Sequence, residues 1–210
     1  MKDNIIFREK HQINENFLPE IPDYWHDEYE SVVNLILNTP MPVNTIISII
    51  YKFIELFNNE FVSSFTVCSS GCSHCCHIDV DVTTVEVEYI SDAASLSLDN
   101  LAIRSSKNGR PCVFLENDTR KCGIYSIRPF KCRTFHTIDH PKYCASNESH
   151  WVYGNAPNGF NNVFYKGFYE LICQLNSDRP KKYLSNFFPN KIDEGYLEDI
   201  NSKLSLMMSN

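Results

Sequence analysis

Four of the nine cysteines in this 210-residue chain fall within nine residues, as Cys68-x3-Cys72-x2-Cys75-Cys76, and three more follow at Cys112, Cys122 and Cys132. A Cys-x2-Cys step lets two sulfurs converge on one metal inside a tight turn, and Gly71 relaxes the backbone there. Thiolates gathered in this way select zinc, copper(I) or iron–sulfur clusters over hard cations. The adjacent pair Cys75-Cys76 is harder to place on a single tetrahedral ion, because neighbouring side chains diverge. A polynuclear cluster, or two nearby ions, uses both. Cys112, Cys122 and Cys132 would close the site from a distance, so the metal would contribute to folding as well as function.

Disulfides are the competing use of these thiols. The cysteine count is odd, and the start Met1-Lys2-Asp3-Asn4-Ile5-Ile6 lacks the apolar run of a secretory signal. No stretch reaches the roughly 20 apolar residues of a membrane helix. The expectation is a soluble cytoplasmic protein, in which thiols serve metals or redox chemistry. Net charge is −7, yet Ile103 to Lys142 holds nine Lys or Arg against three acids, which leaves that segment at +6 and the rest at −13. This positive charge either offsets thiolates or is a solvated basic loop. Nucleic-acid binding is disfavoured, because the protein is acidic and has no aromatic-basic stripe.

Other chemistry leaves few traces. His74, His77, His136 and His140 crowd the same region, and His77-x-Asp79 is a weak match to a two-His-one-carboxylate iron site. Asp92, Asp139 and Glu148 have no obvious paired partner, so no acid–base role follows. Phosphate loops, nucleophile elbows and dinucleotide fingerprints are absent from the sequence. Cys173, on the apolar side of a helical pattern, reads as a core thiol.

The ordered segments Cys68-x3-Cys72-x2-Cys75-Cys76, Pro111-Cys112-x-Phe114-Leu115 and Cys122-x-Ile124-Tyr125-x2-Arg128-Pro129-x2-Cys132-Arg133 resemble the YkgJ-type cysteine cluster family, a zinc- or iron-chelating domain. The signature is similar to the cysteine region of flagellin lysine N-methylases. It spans Cys68 to Phe135, about a third of the chain. The resemblance implies Cys68, Cys72, Cys75, Cys76, Cys112, Cys122 and Cys132 as metal ligands. Cys144, just outside it, is a candidate eighth. Arg128 and Arg133 fall on the family's Arg-Pro and Cys-Arg positions, where guanidiniums would bond sulfur or orient the loop; pairing of Arg128 with an acid is the equal alternative.

The elements that must position these residues are mostly helical. Asp23 precedes a pattern of Trp25, Tyr29, Val32, Val33, Ile36 and Leu37, ended by Pro40 and Pro42. A second helix is expected from Asn44/Thr45 to about Phe61, with Ile46, Ile50, Phe53 and Phe57 on one stripe. Ile78–Val82 alternates as a strand, and Thr83-Thr84-Val85-Glu86 is a capping box opening a third helix. Short strands are expected at Cys112–Leu115 and Gly123–Tyr125, and a loop from Thr134 to Gly159. Phe160–Leu175 reads as a helix weakened by Gly167, and Ile192–Met208 as a last one.

The fold class expected is mainly α (α+β), a helical scaffold around a small cysteine-rich metal-binding centre with short strands. It would be one domain over residues 1–210, with a helical N-terminal region (1–67), a cysteine-rich metal-binding core (68–144) and a helical C-terminal region (155–210). The leading function is a metal-binding protein in an accessory, redox or metal-handling role. It would hold an iron–sulfur cluster, the 4Fe–4S type favoured, or zinc. One alternative is a protein-modifying enzyme related to the flagellin lysine N-methylases, against which stand the short chain and the lack of a readable S-adenosylmethionine site. Another is a structural zinc module presenting a surface to a protein partner. No catalytic residue is assigned.

Overall fold

Two proline pairs punctuate the N-terminal third and decide where its helices begin. Pro22 and Pro42 occupy the positions just before each helix, with φ/ψ of −56°/140° and −59°/147°, so the chain enters each first turn from an extended conformation. The computed structural model describes residues 6–14, 16–69, 71–96, 111–146, 148–154 and 159–177, and the backbone of 181–183. Its elements are α1 (Asp23–Asn38), α2 (Val43–Glu60), β1 (Asp81–Thr83), α3 (Thr84–Ala94), α4 (Phe130–Arg133), β2 (Phe135–Thr137), α5 (Lys142–Ser146), β3 (Val152–Gly154), α6 (Val163–Leu175) and β4 (Lys181–Tyr183). The fold is mainly helical, with two two-stranded antiparallel sheets, β1 with β4 and β2 with β3. No described helix is long and apolar enough to cross a membrane.

The chain forms two compact units, each built from separated stretches: Met1–Ser69 with Arg133–Ile172, and Ser70–Cys132 with Cys173–Asn210. This division crosses the linear regions expected from the sequence, since Cys68 and the stretch after Cys132 go with the helices.

The first unit is organised by aromatic packing. Trp25 of α1 meets Phe53 and Phe57 of α2 edge-on, at ring-centroid distances of 5.6 and 5.1 Å. Phe164 of α6 meets the same two rings at 5.8 and 5.3 Å, also edge-on. These arrangements place a positive ring edge on a negative face. Gly167 is not a flaw in α6. A β-carbon there would collide with the Tyr29 hydroxyl, so the glycine lets the tyrosine ring lie against the helix. Asn58, buried in α2, donates to the Arg133 carbonyl at 2.9 Å and accepts from the Tyr165 hydroxyl.

The expected loop from Thr134 to Gly159 contains β2, α5 and β3 instead. Their register pairs Phe135 with Gly154, His136 with Tyr153 and Thr137 with Val152. Gly154 sits at φ +133°, and a β-carbon there would run into the Thr134 carbonyl. Close strand approach therefore needs glycine at this position.

In the second unit the capping box forms as its sequence predicts. The Glu86 carboxylate accepts from the Thr83 N–H at 3.0 Å and from the Thr83 hydroxyl at 2.7 Å. Its other oxygen accepts from the Phe130 N–H at 2.8 Å, so one buried carboxylate satisfies the starts of both α3 and α4. Val82, Val87, Ile90, Ala94, Phe114, Ile124 and Ile127 form the apolar core beneath.

Several expected boundaries shift. The strand expected at Ile78–Val82 lies at Asp81–Thr83, because residues 74–77 close a 3-10 turn first. The strands expected at Cys112–Leu115 and Gly123–Tyr125 reduce to one bridge between Leu115 and Cys122. Tyr125 N–H bonds back to the Cys122 carbonyl at 3.2 Å and Ile127 N–H to Ile124 at 3.0 Å, local turn bonds that replace a ladder. The helix expected at Ile192–Met208 lies outside the described residues.

Candidate metal centre

Six of the nine cysteines belong to the second unit's stretch 70–132: Cys72, Cys75, Cys76, Cys112, Cys122 and Cys132. Among the described residues, which include all nine, they are thiols and not disulfides. Gly71 takes φ +87°, a left-handed conformation that reverses the chain before Cys72. Cys75 and Cys76 then ride on the 3-10 turn His74–His77. The Cys112 N–H donates to the Cys76 carbonyl at 2.7 Å, which ties the second cysteine segment to the first. Cys122 is held at the bridge to Leu115, and Cys132 sits inside α4, whose first N–H is capped by Glu86.

Burial and neighbouring charge act on three of these thiols. Burial pushes the Cys122 thiol up to about 12, and Cys112 and Cys75 add to the effect. Burial likewise raises Cys132, followed by Cys122, Cys112 and Cys75. Cys75 is exposed as a residue, but its sulfur is shielded. It is held in the thiol form first by its hydrogen bond with Cys76, then by desolvation and the Cys76 charge. Arg128 opposes the rise in all three. Charges act on one another this strongly only at short range inside a low-dielectric setting. Cys75 and Cys112 therefore bear on the buried Cys122 and Cys132, Arg128 acts as their counter-charge, and Cys75 is hydrogen-bonded with Cys76.

A bound cation would supply the positive charge that these crowded sulfurs lack, and a set of soft donors fits zinc or an iron–sulfur cluster. Among the described residues, no three His, Cys, Asp or Glu are spaced to close on one ion.

The two arginines diverge in role. The Arg128 guanidinium lies 3.8 Å from the Tyr125 ring centroid and bears on the thiols as described. Arg133 is only 1% exposed, bonds Glu55 at 3.2 Å and stacks over Tyr51 at 4.1 Å in the first unit. It braces helical core. Ser73, also buried, accepts from Arg120 Nε at 3.1 Å and Nη2 at 3.0 Å, so the basic segment also clamps the cysteine turn.

Cys68 and Cys144 belong to the first unit. The Thr137 N–H donates to Cys68 Sγ at 3.2 Å, and Thr137 Oγ1 lies 3.0 Å from Cys144 Sγ. Asp139 and Glu148 do have partners, contrary to expectation: Asp139 meets His150 at 3.1 Å, and Glu148 meets Lys10 at 3.0 Å. His150 carries no signal in the sequence, because an Asp and a His eleven residues apart share no local motif. The β2–β3 pairing puts them face to face. His136 is buried beside Tyr165, and His140 Nδ1 accepts from the Lys142 N–H at 3.1 Å, so both serve the first unit's structure. Cys173 is half-buried in α6.

A turn-borne set of clustered thiols, tied together by backbone bonds and flanked by a guanidinium, defines a metal-chelating module. Residues 67–152 match the family model CxxCxxCC, described as a putative zinc- or iron-chelating domain. This stretch is similar to the cysteine cluster domain of that family, and metal binding is the function the match supports. The match spans less than half of the chain and leaves out α1, α2 and α6. No solved structure matches the chain.

Proposed function

We propose that the chain is an iron–sulfur protein in an accessory or electron-transfer role. Its cluster would be held by Cys75, Cys112, Cys122 and Cys132. The observation that carries this reading is the backbone bond that ties the Cys112 segment to the Cys75-Cys76 turn, with Cys75 and Cys112 both bearing on buried Cys122 and Cys132 and Arg128 as counter-charge. Four thiolates are the ligand set of a 4Fe–4S cluster, and a cluster of that kind supplies one-electron transfer when bound. Cys76 stands on the same turn as Cys75 and Cys72 lies just before it, so the unit offers more sulfur than one tetrahedral zinc takes. The residues' own work is to gather donors, exclude water and offset charge. Arg128 does the last, as hydrogen bonds and charges near sulfur tune such centres.

Anaerobic purification followed by visible absorption and by iron, sulfide and zinc analysis tests the proposal. The expected result is a brown protein with iron and sulfide in equal amounts. Serine at any of the four positions should abolish the colour, while Cys173→Ser should keep it. Stoichiometric zinc without sulfide would replace the cluster by a zinc centre. A colourless, metal-free chain of undiminished stability would refute metal binding by this set altogether.

A further inference from the structure

The stretch that reads as loop in the sequence builds a second polar constellation in the first unit. Beyond the last paired residues of β2 and β3, the Ile138 N–H bonds the Trp151 carbonyl at 3.1 Å. Asp139 and His150 are thereby set opposite one another. Asp139 is fully buried, at 0% exposure. One carboxylate oxygen accepts from the Trp151 N–H at 2.8 Å, and the other lies 3.1 Å from His150 Nδ1. That contact fixes the ring and directs Nε2 at Cys144 Sγ, 3.6 Å away. Thr137 then connects Cys144 to Cys68 through its hydroxyl and its N–H.

The geometry points to a second metal site in this unit, for a zinc-class divalent cation, held by His150 Nε2, Cys144 and Cys68 and oriented by Asp139. Three features favour a ligand set over a plain hydrogen-bond chain. First, a carboxylate on the far nitrogen of an imidazole is the usual support of a metal-bound histidine, because it fixes ring orientation and raises ligand basicity. Second, a nitrogen at about 2.0–2.1 Å and a sulfur at about 2.3 Å from one tetrahedral ion stand about 3.6 Å apart, which is the Nε2–Sγ separation found. Third, two thiolates and one neutral imidazole balance a divalent charge, so the ion with its three direct ligands would carry no net charge, and the charge left beside it would be that of Asp139. On binding, each thiol yields its proton to the solvent, and the imidazole coordinates through a lone pair on Nε2. Among the described residues only His150 and Cys144 already stand at ligand spacing, and no third ligand closes on the same point. Cys68 must therefore turn toward the pair to complete the set, and the fourth coordination position is left open.

This inference goes beyond the cluster proposal, uses none of its four ligands and stands if that proposal fails. The test is zinc titration of the intact chain under anaerobic conditions, read by native mass spectrometry and by competition with a chromophoric chelator. One zinc equivalent should persist in Cys75→Ser/Cys132→Ser and disappear in Cys144→Ala and in His150→Gln. Asp139→Asn should keep the equivalent and weaken it about 10- to 100-fold. Circular dichroism separates loss of the site from loss of the fold. Should His150→Gln unfold, Cys144→Ala at a half-buried position remains informative, as does the zinc dependence of the parent's iron content, which this site should not alter. Unchanged zinc count and affinity in folded Cys144→Ala and His150→Gln would overturn the proposal. So would a folded Cys75→Ser/Cys132→Ser chain that binds no zinc.

Discussion

Replacing Glu86 by glutamine tests the link between the capping box and the metal centre. The carboxylate is 2% exposed and receives three hydrogen bonds, from the Thr83 N–H at 3.0 Å, the Thr83 hydroxyl at 2.7 Å and the Phe130 N–H at 2.8 Å. Glutamine matches its volume, so no cavity forms, but one acceptor oxygen becomes an amide nitrogen. Whichever way the amide turns, one buried backbone N–H then faces another N–H. An unsatisfied buried donor costs about 1–3 kcal/mol. Glu86→Ala strands both N–H groups, and two lost charge-assisted bonds amount to about 3–6 kcal/mol. Total stability of a domain is only about 5–15 kcal/mol, so the alanine variant should be close to unfolding. Denaturant midpoints with an unchanged slope measure both effects. Phe130 begins α4, and Cys132 lies two residues on, so bound metal should fall in step with stability. If Glu86→Gln shifts stability by less than about 0.5 kcal/mol, the size of a neutral surface change, the carboxylate does not hold these two helix starts together.

Gly167→Ala should destabilise the chain by about 1–3 kcal/mol despite alanine's better helix propensity, because its β-carbon meets the Tyr29 hydroxyl. Combining it with Tyr29→Phe should restore part of the loss in thermal denaturation; strict additivity would refute the contact. Tyr153 is buried, and its phenol is pushed up to about 12, with the 2.6 Å bond from Asn162 acting in the other direction. A folded pKa above the unfolded value means that its contribution is intact below about pH 10 and is lost as pH rises toward about 12. Tyr153→Phe should therefore flatten the alkaline end of the stability profile, and an unaltered profile would count against this assignment.

The sequence displays some of this structure plainly and conceals the rest for physical reasons. Period-three-to-four stripes expose α1, α2 and α6, and Thr83 with Glu86 marks the start of α3, because those signals are local. The cysteine turn is legible in the same way, through Gly71 and the Cys-x2-Cys step. What stays hidden depends on contacts between distant residues. Strands of three residues, such as β2 and β3, are too short to show alternation against a background of prolines and polar groups. Without β2 and β3, nothing connects Asp139 to His150. Glu86 can be read as a cap, but its second bond to Phe130, 44 residues away, cannot. Gly167 looks like a weak point in the sequence because its neighbour Tyr29 lies on another helix.

The basic segment shows how structure converts a charge count into chemistry. A net +6 over Ile103 to Lys142 could belong to a surface field that attracts polyanions, or to separate local partners. Among its described cations, Arg120 clamps Ser73, Lys131 bonds Asp81 at 2.7 Å, Arg133 bonds Glu55, and Lys142 bonds Glu9 at 2.6 Å. Each of these charges is directed at a partner within the chain. Arg128 differs, since it offsets the charge that Cys75, Cys122 and Cys132 would carry as thiolates. A single guanidinium cannot balance several buried thiolates, and without further positive charge these thiols stay protonated. A bound cation would complete this balance, in keeping with what the cysteine spacing implies.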